Sequence, residues 1–354
     1  MADESEPTVT DQDVTRMVEA LTNGWTVEAI TRVDEGTDFV AELRVETSDG
    51  DRTVVLKAAT ADHVEPTFAS AEPRLLEVAA AETAIPVPDV YSYCDDHPDL
   101  PAPFVLLEHV EGENYEGRVE ELSASARDQI VADAGRHLAA LHELGPLPGT
   151  GRIGIEAGEL AVLGNERPDD SRLWALASAE EALDALESGG YFPELAENPE
   201  RFADLVPELR SYLGEHLPAL PEPEPPTYCH GDYRYGNLLV DPETGETDAV
   251  LDWGNVLAVE PAYNLANAES LLVTPDRDGP ERTSALRNAF RDAYEAARSD
   301  WTLDADGRER LELYLLVCRL DAMACLPLWY PDAVERDRME REHRRFVREY
   351  LDCE

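Results

Sequence analysis

The chain has 354 residues, 76 of them Asp or Glu and 29 Lys or Arg, for a net charge of −47. That length suffices for two lobes and a sizeable core, and 43% hydrophobic residues with five Trp exclude the disorder that excess acid otherwise indicates. A field this negative repels nucleic acid and anionic membrane, so both are excluded as partners.

Residues 1–10 read as a disordered acidic lead, the reverse of a signal peptide in charge. Val14, Met17, Val18 and Leu21 have helical spacing, which predicts a helix over 11–21 with Thr10 or Asp11 as its cap. Strand-like runs follow at 25–30, 39–45 and 52–58, the last two joined by the turn Ser48-Asp49-Gly50-Asp51. The acidic segment Asp34-Glu35-Gly36-Thr37-Asp38 lies between the first and second runs. Residues 68–78 are helical in spacing, with Pro73 tolerated only in a first turn, and end before Ile85-Pro86-Val87-Pro88. Residues 103–112 form an apolar strand running into Gly112. Helical periodicity begins at Ser123 and stops at His142-Glu143-Leu144-Gly145, where His142 reads as a packed core residue. Acidic helical segments occupy 161–217, broken at Gly189-Gly190, and 221–226 is a proline-rich spacer within the second lobe.

The run His230-Gly231-Asp232-Tyr233-Arg234-Tyr235-Gly236-Asn237 then leads into Leu238-Leu239-Val240. A turn-rich hexapeptide, 241–246, precedes Ala249-Val250-Leu251 and Asp252-Trp253-Gly254, so the segment reads as loop, strand, tight connection and strand. Further on, Leu313, Leu316, Val317, Leu320 and Met323 have core spacing. Arg319 and Asp321 on that helix face a pocket or form an internal ion pair; with Pro327 they also interrupt the apolar stretch 313–330 and argue against a membrane span. Six Arg interleaved with acids over 336–348 read as a solvated helix with pairs such as Glu340–Arg344. Five cysteines without Cys-x-x-Cys spacing support neither a disulfide framework nor a zinc site, and Cys229 reads as a buried small hydrophobe. The expected compartment is the cytoplasm.

Asp232, Asn237 and Asp252 are the residue types that phosphoryl transfer uses. One carboxylate takes the acceptor proton, while an amide and a second carboxylate hold Mg²⁺ on the nucleotide phosphates. The separation of Asp232 from Asn237 is that of a protein-kinase catalytic loop, and an Asp-x-Gly follows a short hairpin. With His-Gly-Asp where protein kinases have His-Arg-Asp, the stretch resembles the aminoglycoside phosphotransferase family, small-molecule kinases of protein-kinase-like fold that include choline kinases.

The resemblance implies an α+β, two-lobed molecule: an N-lobe over 11–108 with an antiparallel sheet and a helix, and a larger, mostly helical C-lobe over 109–354. It implies ATP and Mg²⁺ as cofactors and a small-molecule hydroxyl as acceptor. Asp232 becomes the base, Arg234 a charge beside the transferred phosphate, and Asn237 and Asp252 the metal ligands. Lys57, the one lysine in the chain, becomes the strand-borne anchor of the α- and β-phosphates. Glu72 is its expected ion-pair partner, with Glu77 the competitor. Gly36 and Thr37 become phosphate-loop contacts, and Glu108 to Val110 the adenine-reading hinge, with Val110 the amide donor. Two positions depart from the family: Asn264 stands where Asp is usual, and Arg234 where aminoglycoside-modifying relatives more often have His. Arg234 weakens an antibiotic-modifying reading, while Asn264 and the acidic, glycine-poor segment 34–38 leave a nucleotide-binding regulator without transferase activity as the alternative. A protein kinase is not supported, because no Ala-Pro-Glu element follows Asp252. Acid spread along the whole chain, with Lys all but absent, reads as adaptation to high salt, where the Debye length falls to about 3 Å at 1 M. The same spread means that surface charge does not identify a cationic acceptor.

Overall fold

The computed structural model describes residues 9–33, 38–60, 65–163, 170–273, 275–299 and 301–351, with backbone alone at 275–278. In chain order the first elements are α1 (Asp11–Leu21), β1 (Thr26–Val33), β2 (Phe39–Thr47), β3 (Gly50–Ala58), α2 (Pro66–Ala69), α3 (Ala71–Glu82), β4 (Val90–Cys94) and β5 (Phe104–Glu108). Next come α4 (Ala124–His142), β6 (Gly151–Glu156), β7 (Glu159–Leu163), α5 (Ser171–Leu186), α6 (Val206–Ala219), β8 (Thr227–His230), β9 (Leu238–Val240), β10 (Thr247–Val250) and β11 (Val256–Val259). Among the described residues five helices follow: α7 (Pro261–Leu272), α8 (Pro275–Ala297), α9 (Ala305–Ala324), α10 (Leu326–Trp329) and α11 (Ala333–Leu351). The class is α+β, as expected. No helix among the described residues is long and apolar enough to cross a membrane.

The chain packs as two compact units. One comprises Met1–Ile130, Arg152–Leu163 and Tyr235–Val256; the other comprises Val131–Gly151, Gly164–Arg234 and Leu257–Glu354. Both are discontinuous, whereas the lobes read from the sequence are continuous over 11–108 and 109–354. Backbone pairing accounts for the return of the hairpin to the first unit: Glu113 bridges Val240, and Val250 N–H donates to Pro86 C=O at 2.8 Å. Of the acidic lead, residues 1–8 lie outside the described residues, while Val9 is buried and Thr10 caps α1.

In the first unit the antiparallel sheet runs β1-β2-β3-β5-β4. Ala41, Leu43 and Val45 of β2 and Val54, Leu56 and Ala58 of β3 share a buried face with Val14, Met17 and Val18 of α1. Side chains alternate along a strand, so Lys57 points to the opposite face from Leu56 and Ala58. The Thr10 hydroxyl accepts from Asp13 N–H at 3.2 Å and the Asp13 carboxylate accepts from Thr10 N–H at 3.0 Å, a reciprocal cap. The helix read over 68–78 is two helices, broken at Ser70. Pro73 causes the break, since its ring would clash with the carbonyl of residue 69 in a continuous helix; in the first turn of α3 it is harmless. The start of the segment read as helical, 161–163, is strand. β6 and β7 pair from Arg152–Leu163 to Glu156–Glu159 around Ala157 and Gly158, both at positive φ (51° and 91°). An Ala-Gly turn lacks the Asn-Gly or Asp-Gly signature that marks such hairpins in sequence.

In the second unit α7 and α5 pack on α9, and α5 on α6. Two buried carboxylates are matched by arginines: Glu260 lies 2.8 Å from Arg310 and also accepts from the Tyr314 hydroxyl, and Glu269 lies 2.7 Å from Arg291 and 2.9 Å from Arg287. Gly135 lets α4 and α8 touch, because a Cβ there would sit 2.4 Å from Phe290 O and 2.9 Å from Tyr294 N. Arg319 and Asp321 both have partners: Arg319 lies 3.4 Å from His343 Nδ1 and over the Phe346 ring, and Asp321 accepts from the Tyr191 hydroxyl at 2.8 Å. The expected Glu340–Arg344 pair is present at 2.9 Å.

Candidate active site

In the first unit the chemistry gathers around Lys57. Its Nζ lies 2.8 Å from Glu72 Oε2, 2.9 Å from Asp252 Oδ1 and 3.9 Å from Asp38 Oδ2. Glu72, in the first turn of α3, is buried, whereas Glu77 is exposed. The offset of five positions from one to the other turns the helix by about 500°, so the two side chains cannot face one partner. Burial works against the Lys57 ammonium, yet Glu72 and Asp252 outweigh it and push its pKa up, leaving it charged at any working pH. Burial in turn raises the Glu72 carboxyl, opposed by Lys57 and assisted by repulsion from Asp252. Glu72 therefore costs free energy to bury and is held for its effect on the lysine.

Asp252 is delivered by β10. It stands in the left-handed region (φ 59°, ψ 67°), which a non-glycine residue keeps only where its surroundings hold it. The surroundings are identifiable. Leu251 N–H donates to Asn237 C=O at 2.8 Å, and buried Trp253 donates its indole N–H to Val250 O at 3.0 Å. Asn114, which sequence reasoning did not single out, donates to Gly236 O at 2.5 Å and so fixes the peptide before Asn237. An isolated Asn far from the motif carries no spacing that would mark it.

The hinge residues divide. Glu108 N–H is already taken by Asp89 O at 2.8 Å, while Val110 N–H has no protein partner among the described residues. Gly36 and Thr37 lie outside the described residues.

In the second unit Asp232 is held by Arg234, whose Nε lies 3.1 and 3.0 Å from the two carboxylate oxygens. Asp232 N–H donates to His230 Nδ1 at 3.3 Å. Asn264, from α7, donates its amide to His230 O at 2.8 Å, and its Oδ1 lies 3.0 Å from His142 Nε2. Tyr233 is buried and its hydroxyl lies 2.8 Å from His137 Nδ1. Cys229 is buried with its thiol 3.5 Å from Val259 O, and burial pushes its pKa up, so it is no nucleophile.

A family model described as a phosphotransferase enzyme family matches residues 29–314. The chain belongs to the phosphotransferase enzyme family. Among solved structures, a Ralstonia eutropha JMP134 protein named as an aminoglycoside phosphotransferase shares 16% identity at a TM-score of 0.63, covering 97% of this chain and 98% of that one. An aminoglycoside phosphotransferase in complex with AMP-PNP and hygromycin B shares 17% at 0.59, covering 95% and 98%, and a Plasmodium vivax ethanolamine kinase 12% at 0.56, covering 94% and 82%. These likenesses show the protein-kinase-like fold. A mouse protein, acyl-CoA dehydrogenase family member 10, is 26% identical over 211 residues, 57% of this chain and 17% of its own length. The chain spans about a fifth of the length of the curated relatives it matches.

Among the described residues no group of three or more His, Cys, Asp or Glu is arranged to hold a metal by itself. Asn237 and Asp252 offer one amide oxygen and one carboxylate, both hard donors on adjoining strand ends. That set fits Mg²⁺, which keeps water and phosphate oxygens for the rest of its shell.

Proposed function

We propose that this phosphotransferase moves the γ-phosphate of ATP to a hydroxyl group of a small molecule. The observation that carries the reading is the Lys57 ammonium, the chain's one lysine, held between buried Glu72 and half-exposed Asp252. A cation kept charged and aimed in this way suits the α- and β-phosphates. Asn237 and Asp252 are the residues that would hold Mg²⁺, which neutralises phosphate charge when bound. Val110 N–H, two residues past β5 and without a protein partner among the described residues, suits an adenine edge. Asp232 accepts the proton of the acceptor hydroxyl, and Arg234 shifts from Asp232 toward the transferred phosphate as the acceptor takes its place. Use of ATP points to the cytoplasm. That one solved relative of this fold holds hygromycin B and another is named an ethanolamine kinase supports a hydroxylated small molecule as the acceptor class.

The test is ADP release in molar KCl with Mg²⁺ and ATP, across a panel of aminoglycosides, amino alcohols and sugars. Acceptor-stimulated turnover is expected. Asp232→Asn should lower it by about 10²–10⁴-fold, the contribution of a general base, with ATP binding retained. ATP binding without stimulation by any acceptor would instead make the chain a regulator.

A further inference from the structure

Asn264 is one link of a longer hydrogen-bonded series, all of it within the second unit. Arg298, just beyond α8, donates to Glu224 Oε2 at 2.6 Å and to the Tyr294 hydroxyl oxygen at 2.7 Å. Trp301 Nε1 donates to Glu224 Oε1 at 2.9 Å, which fixes the carboxylate from the other side. The Tyr294 hydroxyl lies 2.9 Å from His142 Nδ1, His142 Nε2 lies 3.0 Å from Asn264 Oδ1, and Asn264 Nδ2 lies 2.8 Å from the His230 carbonyl oxygen.

The protons of this series have one arrangement. A carbonyl oxygen only accepts, so Asn264 turns its NH₂ to His230 and its Oδ1 to His142. His142 Nε2 then carries the ring proton, and bare Nδ1 accepts the Tyr294 hydroxyl proton. At the far end a guanidinium only donates, so the Tyr294 oxygen accepts from Arg298. His142 stays neutral because burial first, with the nearby Arg298 charge, holds its pKa near 3, the Asn264 bond opposing. The remaining groups facing it do not disturb this: Cys229 Sγ, 3.8 Å from Nε2, is a neutral buried thiol, and Glu224 is occupied by Arg298 and Trp301. An Asp at 264 would set a second acceptor against the His230 carbonyl, so the amide found here is the side chain that this series requires.

We propose that Tyr294 and Arg298 are positioning residues of the phosphotransfer site, acting through His142 and Asn264 to fix the His230 carbonyl and with it Asp232, two residues on. The proposal rests on the reading of Asp232 as the base. Loss of one hydrogen bond from the series should cost about five- to tenfold in rate.

Tyr294→Phe and Arg298→Met should therefore lower kcat about five- to tenfold with KM for ATP unchanged. Arg298→Lys, which keeps a donor for Tyr294, should retain most of kcat. Hydrogen exchange should accelerate across 230–237 in Tyr294→Phe and stay unchanged in β2 and β3. Unchanged exchange in that loop overturns the proposal, as does a loss in which kcat, KM and melting temperature all move together. Accelerated loop exchange, with a wild type that releases no ADP for any acceptor, supports the series and instead removes the reading of Asp232 as the base.

Discussion

At the scale of single residues, Lys57 shows stability and function pulling apart. Glu72 is 5% exposed and its carboxyl is raised by burial, so ionising it in place is unfavourable. Glu72→Gln removes that cost and is expected to leave the melting temperature unchanged or higher. Without the second carboxylate, Lys57 has Asp252 as its nearest counter-ion and is drawn onto the residue proposed to hold the metal. Activity should then fall by about tenfold or more, since one charge-assisted bond is worth roughly 1.5–3 kcal/mol. Melting curves and kcat/KM measured on the same preparation check both signs. Lys57→Met should do the opposite to stability. It strands Glu72 without a cation and is expected to cost about 3–5 kcal/mol, read from denaturant midpoints.

At the scale of elements, the α4–α8 contact decides where Tyr294 meets His142. Gly135 is the residue that permits it, since an added Cβ would lie 2.4 Å from a backbone oxygen that cannot rotate away. Gly135→Ala is expected to push α8 outward and destabilise the second unit by about 1–3 kcal/mol, the usual cost of overpacking. Thermal unfolding of the variant, with Gly214→Ala as a control at a position open to solvent, separates this clash from a general effect of losing glycine. The control should be neutral or slightly stabilising, because Ala is the better helix former. The two buried Glu–Arg sets that tie α7 to its neighbours belong to the same scale. They hold an element that is buried along most of its length, polar Asn264 and Glu269 included, so its register rests on polar pairing as well as on packing.

For the whole molecule, salt is the main variable. Surface ion pairs are worth about 0–1 kcal/mol each and weaken with salt. With 76 acids against 29 bases, most carboxylates have no such pair to lose, and relief of repulsion outweighs the weakening. The unfolding midpoint is expected to rise by about 10 °C or more between 0.1 and 2 M KCl; a falling midpoint would remove the high-salt reading. Acid should act through the buried histidines. Burial lowers the pKa of His137 from 6.5 to about 4 and that of His142 to about 3, and holds His343 well below 6.5. Below 6.5 the unfolded chain binds these protons and the folded chain does not, so their contribution is full above 6.5 and is lost as pH falls toward 4. The loss approaches 1.4 kcal/mol per pH unit for each histidine, to order of magnitude. Buried Glu72, Glu260 and Glu269, whose pKa values are raised, act in the opposite sense. The clean readout is therefore a difference: His343→Gln should flatten the fall in unfolding midpoint between pH 6.5 and 5 relative to wild type.

The sequence by itself determined the local and the chemical. Period-two and helical spacing marked β2, β3, α1 and α9, because those patterns follow from burying one face of an element. A lone Lys57 in a chain stripped of lysine, and the ordered set Asp232, Asn237 and Asp252, announced phosphoryl transfer because few other reactions need that set. The tertiary structure decided what depends on contact between distant residues. It chose Glu72 over Glu77 by helix phase and brought Asn114 to Gly236. It also gave Asn264 a donor's role toward His230 through a neutral His142. Glu72 is also what the family resemblance implies, but the other two have no sequence signature, since Asn114 meets Gly236 and Asn264 meets His142 each across 122 positions, and folding alone brings such residues together.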